Sequence, residues 1–102
     1  MLGAIAGDVI GSVFEWHPTK SKQFPLFVNR SRFTDDTVLT IAVAEALLTD
    51  GDFARTIKDY GRRFPDAGYG KRFKRWLDAD ESAPYGSFGN GSAMRVAPIA
   101  WA

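Results

Sequence analysis

The run VLTIAVAEALL at Val38–Leu48 constrains the fold of this chain more than any other stretch. It is apolar nearly all round, interrupted only by Thr40 and Glu45. A helix with no polar face is normally central, so other segments must pack round it. No apolar run in the chain approaches the roughly 20 residues a membrane helix needs. The neighbouring segments have the right pattern to supply that cover. Leu2, Ile5, Ala6, Val9, Ile10, Val13 and Phe14 recur at helical spacing and predict a helix over Leu2–Glu15. Asp52–Phe64 is amphipathic, with Phe53, Ile57, Tyr60 and Phe64 on one face, and Pro65–Gly70 breaks it. Gly70–Ala79 predicts a short helix with Phe73, Trp76 and Leu77 inward. Ser92–Ala102 predicts another, in which Pro98 either kinks the helix or marks its true start. Trp16–Phe33 and Asp80–Gly91 read as irregular loops. With no β-hairpin pair, repeat or linker, the expected class is all-α: a compact orthogonal bundle of about five helices in one domain, residues 1–102.

Composition narrows the function classes. With 45% hydrophobic and 25% charged residues the chain is globular. It has no cysteine, which excludes disulfides and cysteine-based zinc sites. The apolar N-terminus lacks a basic leader and is interrupted by Asp8 and Glu15, unlike a secretory signal. These features predict a soluble, cytoplasmic protein. Residues 1–54 hold four basic against seven acidic residues, a net −3. Residues 55–75 hold eight basic against two acidic, a net +6. Such a block is usually a solvated helix face, and only steeply salt-dependent binding would make it a nucleic-acid surface.

Three places carry chemistry. In TDDT, Thr34 or Asp35 suits the N-cap of the central helix, and Asp36 suits the positive end of its dipole. Capping accounts for one acid better than for two, because adjacent buried carboxylates repel each other and are costly to desolvate. A hard divalent cation, Mg²⁺ or Mn²⁺, would relieve both costs. In GSFGNGSAMR, the residues Gly89, Asn90, Gly91 and Ser92 could form a phosphate cradle at a helix start or a plain Asn-Gly turn. Arg95 follows, placed either to meet an anion or to face solvent. Third, Glu15 stands at the helix end where its charge opposes the dipole, so helix stability does not explain it. It suits a surface position or the acid or base of a hydrolytic site. Upstream, Asp8, Ser12 and Glu15 form a polar line at i, i+4 and i+7, and Gly3, Gly7 and Gly11 form a smooth stripe that invites close approach by a backbone or a ligand.

The ordered set GAIAGDVIGSVFE, FTDDTVLT and GNGSAMRVAPIA resembles the ADP-ribosylglycohydrolase family. The three blocks cover about a third of the chain. The resemblance implies an all-α fold with a two-metal Mg²⁺ or Mn²⁺ centre that cleaves ADP-ribose from modified side chains or related derivatives. It further implies that Thr34, Asp35 and Asp36 form the first half of the metal site. Glu15 would lie beside the scissile bond as the proton-transfer group, and Gly89, Asn90, Gly91 and Ser92 would hold the phosphates and ribose. The family's second metal cluster, of Asp-x-Asp-Thr/Ser type, lies near its C-terminus and has no counterpart here. DADES at Asp78–Ser82 precedes the glycine loop and reads as an exposed helix end. The expectation is therefore an incomplete domain with half a metal centre, little turnover alone, and uncovered apolar faces on Leu2–Phe14 and Val38–Leu48 that invite self-association or a complementing chain. The rival readings are a non-catalytic ADP-ribose- or nucleotide-binding module and an assembly subunit.

Overall fold

The apolar run does form the centre. A computed structural model describes residues 1–102 and is all helical: α1 (Leu2–Gly11), α2 (Asp35–Leu48), α3 (Phe53–Arg63), α4 (Lys71–Asp78), α5 (Gly91–Met94) and α6 (Ala97–Trp101). Helix α2 packs against α1, α3, α5 and α6. Its Val38, Leu39, Ala42, Val43 and Ala46 are buried. Val38 and Leu39 join Tyr69 and Leu77 in one cluster, on which Ile57, Tyr60, Phe73 and Trp76 lean.

Two boundaries differ from the sequence pattern. The first helix stops at Gly11, not Glu15, and continues as a 3₁₀ turn over Ser12–Phe14. There Ser12 Oγ donates back to the Val9 carbonyl at 2.8 Å, a local bond that competes with regular helix geometry. Helix α2 starts at Asp35, three residues before its apolar run, in agreement with a cap at Thr34. The last segment is two helices rather than one. Its break falls at Arg95–Val96, and Pro98 sits in the first turn of α6, where its missing N–H costs nothing. The count is thus six helices, not five.

The basic block of residues 55–75 is only partly solvated. Lys58 is 5% exposed. Its Nζ donates to the carbonyls of Trp76 and Ala79, at the open C-terminal end of α4, and lies 4.5 Å from the Trp76 ring centre. Arg62 adds Nε to the Leu77 carbonyl at 2.8 Å. Both cations thus satisfy carbonyls that a helix end leaves without partners. Gly61 faces the same seam. A Cβ there would lie 2.6 Å from Leu77 Cδ2, so glycine is what lets α3 and α4 close.

The cover is uneven. No residue of α1 is buried, and Leu2 is 84% exposed. The C-terminal end of α2 is also open, with Leu48 86% exposed. The expected loss of cover therefore holds for α1 and for the end of α2, while the rest of α2 is enclosed. No helix is long and apolar enough to cross a membrane.

Candidate active site

The site is built where α1 meets the first turn of α2. Four backbone N–H groups at the start of a helix have no partner within it. Here the chain supplies partners from three directions. Thr34 is the N-cap, and its Oγ1 accepts from Asp36 N at 3.3 Å. Asp35 N donates to the Ala67 carbonyl at 2.8 Å. Thr37 N donates to Asp8 Oδ2 at 3.3 Å, as does Thr34 N at 2.7 Å. Of the two cap candidates in the sequence, Thr34 takes the position.

The helix end is thus satisfied without the side chains of Asp35 and Asp36. Neither carboxylate makes a hydrogen bond to another residue or a salt bridge. Both line an open cleft of about 550 Å³ with Gly7, Asp8, Gly11, Ser12, Glu15, Thr34 and Asn90. The helix dipole favours charge at this end, by up to about 1 kcal/mol per carboxylate when exposed. Burial and mutual repulsion outweigh it. Burial first, and then the charge of Asp36, push Asp35 up to about 6. Asp36 is also raised, by burial and by the charge of Asp8. Arg95 opposes both shifts. It is half-buried, its Nε donates to the Gly91 carbonyl at 2.8 Å, and its guanidinium stands 5.6 Å from the Phe73 ring centre. Arg95 is thus part-buried and acts on the two acids by charge alone, with an ion pair to neither and no place in the cleft lining.

Behind Asp35 the chain turns tightly. Gly68 has φ +103°, which a side chain rarely adopts, and a Cβ there would come 3.9 Å from Asp35 Oδ1. Next to it, the Tyr69 hydroxyl is buried with no hydrogen-bond partner. Burial, reinforced by the charge of Asp35, pushes it up to about 12.

The sequence-predicted residues separate into two groups. Glu15, Thr34, Asp35, Asp36 and Asn90 line the one cleft. Gly89, Gly91 and Ser92 lie beside it without lining it. Gly89 N donates to Ser87 Oγ at 2.9 Å, so that amide is already engaged. The glycine stripe meets no backbone: nothing lies within 4 Å of a Cβ at Gly3, Gly7 or Gly11. Of the three, Gly7 and Gly11 line the cleft.

This arrangement places the exposed Glu15, the two non-capping acids and Asn90 of the glycine loop round one opening, in the chain order of the motifs. A family model described as ADP-ribosylglycohydrolase matches residues 1–102. The chain belongs to the ADP-ribosylglycohydrolase family. Among its relatives, ADP-ribosylhydrolase ARH3 of Xenopus tropicalis is 31% identical over 134 residues, covering 100% of this chain and 38% of the relative. ADP-ribosylhydrolase ARH3 of Mus musculus and that of Homo sapiens are each 31% identical over 137 residues, covering 100% of this chain and 37% and 38% of the relative. The chain therefore spans under two-fifths of the length of these curated relatives. No solved structure matches it.

The donor set of this ADP-ribosylglycohydrolase chain bears on the divalent cation that the sequence resemblance implies. Two carboxylates and a threonine hydroxyl are hard oxygen donors of the kind Mg²⁺ and Mn²⁺ take. The two carboxylates have no competing structural role, whereas the Thr34 hydroxyl also caps α2, and the three together would form part of a coordination shell. They do not make a whole one, since no three His, Cys, Asp or Glu side chains converge. Asp8 also lines the cleft and is bonded to the first turn of α2, and the sequence pattern assigns it no role. Its only signal was the polar line with Ser12 and Glu15.

Proposed function

We propose that this ADP-ribosylglycohydrolase chain carries one half of a metal-dependent site that hydrolyses an N- or O-glycosidic bond of ADP-ribose. One observation carries the reading: Asp35 and Asp36 face the cleft with Glu15 while the helix end they begin is capped without them. Thr34, Asp35 and Asp36 would hold Mg²⁺ or Mn²⁺. That ion would supply charge neutralisation and Lewis-acid polarisation of a substrate oxygen. Glu15 is exposed at the end of the 3₁₀ turn and would be the group that moves a proton at the scissile bond. Asn90 lines the cleft at the start of α5, and with Gly89, Gly91 and Ser92 it would orient the phosphates and ribose. Further ligands would come from outside these residues.

The test is thermal stability against added Mn²⁺. Wild type is expected to gain stability with rising Mn²⁺, by the linkage of ligand binding to folding. Asp35→Asn combined with Asp36→Asn is expected to abolish the gain. An equal gain in that variant would remove these residues from the metal site. A binding module without turnover is the competing reading, favoured by the lack of three converging metal-ligating side chains. It predicts ADP-ribose binding by calorimetry with no hydrolysis, unchanged in Glu15→Ala.

A further inference from the structure

We infer that Asp8 is a positioning residue that commits the Thr34 hydroxyl to the role of cation acceptor and docks α1, with Glu15, onto the same turn of α2. This rests on the cation reading above. The Asp8 carboxylate receives four donors from that turn. Oδ1 accepts from Thr34 Oγ1 at 2.5 Å. Oδ2 accepts from Thr34 N at 2.7 Å, Thr37 Oγ1 at 2.6 Å and Thr37 N at 3.3 Å. A carboxylate only accepts, so the single hydroxyl proton of Thr34 is spent on it. One lone pair of the same oxygen takes the long bond from Asp36 N. The other is left, on a residue that lines the cleft. Thr34 therefore presents an acceptor and no proton to whatever enters, which is what a hard cation requires and what a freely rotating hydroxyl does not guarantee. The same carboxylate fixes the distance between two elements far apart in sequence. Ser12, in the 3₁₀ turn after α1, adds a second tie, to the segment just before α2: its Oγ accepts from Arg32 N at 3.1 Å.

A purely structural reading of Asp8 is a helix cap supplied from another helix. The two readings part at Asp8→Asn. An amide keeps one acceptor oxygen, and three donors converge on the Oδ2 position, so the oxygen belongs there. The amide nitrogen then faces Thr34 Oγ1 and donates to it, which uses the lone pair and turns the hydroxyl proton away. Manganese titration of the full chain, followed by the resonance of free Mn²⁺ and checked for helix content, reads the consequence. Asp8→Asn and Thr34→Val are each expected to weaken Mn²⁺ binding about tenfold or more, the usual scale for groups that orient a ligand. The double variant is expected to bind within about twofold of Thr34→Val, because both changes remove one interaction. Thr37→Val loosens the same anchor without touching Thr34 and is expected to leave Mn²⁺ affinity unchanged within about twofold, whether or not Asp8→Asn folds. Full additivity, unchanged affinity in Asp8→Asn, or loss in Thr37→Val equal to that in Thr34→Val would each overturn the inference. Wild type that fails to bind Mn²⁺ would instead overturn the cation reading, and this inference with it.

Discussion

Replacing Asp35 by asparagine should make the metal-free protein more stable at neutral pH, although it removes a residue placed in the site. The unfolded chain releases the Asp35 proton near the ordinary 3.8, whereas the folded chain holds it to about 6. Between those values the folded state binds the proton and the unfolded state does not. The associated stability is thus fully present below about pH 4 and is lost as pH rises through 6. Two pH units correspond to about 3 kcal/mol. Asp35 is only half-buried, and solvent screening reduces the expected effect to about 1–1.5 kcal/mol. The assay is urea unfolding in chelator at a series of pH values from 4.5 to 7.5, with the slope held common. Wild type should lose that amount across the series. Asp35→Asn should lose much less and end the more stable of the two at pH 7.5, by roughly 0.5–1 M in midpoint. Added Mn²⁺ should reverse the order. Parallel curves for the two proteins, or a wild type that is flat from pH 4.5 to 7.5, would refute the account of repulsion and burial at the helix end.

Two other substitutions probe the packing and the loop. Gly61→Ala puts a methyl into Leu77 at the α3–α4 seam and should cost about 1–3 kcal/mol in urea unfolding, the usual range for overpacking a core; a neutral result would mean the seam can open freely. Gly91→Val puts its side chain against the Arg95 guanidinium, the flexible end of a side chain, so helix content should survive while calorimetric ADP-ribose binding is lost; equal affinity would leave the loop as a turn only.

Much of this was legible from local pattern. The all-round apolar run located the central helix, and the threonine before two acids located its start. The ordered motifs pointed to the family before any geometry was known. What escaped was tertiary. Asp8 bonds to Thr34 and Thr37 across 26 and 29 residues, and no spacing within α1 announces that partner. Lys58 sits on what looks like the polar face of α3 but is buried, because the last carbonyls of α4 end against it. The expected apolar face of α3 also misses the buried Thr56 and Gly61, while Phe53 and Phe64 remain partly exposed. The glycine stripe predicts close approach by a backbone or a ligand. No backbone approaches it in the folded chain, where Gly7 and Gly11 form a smooth wall of the cleft.

That wall sets opposing demands on one helix. Alanine in place of glycine strengthens a helix by up to about 1 kcal/mol where nothing obstructs it, and nothing obstructs it at Gly3, Gly7 or Gly11. At Gly3, outside the cleft lining, the gain is free of any cost to the opening. At Gly7 and Gly11 each added methyl takes its volume from the space a ligand would fill. The width of the cleft can therefore be reset one methyl at a time, without strain in the fold, by the same substitutions that would make α1 a better helix.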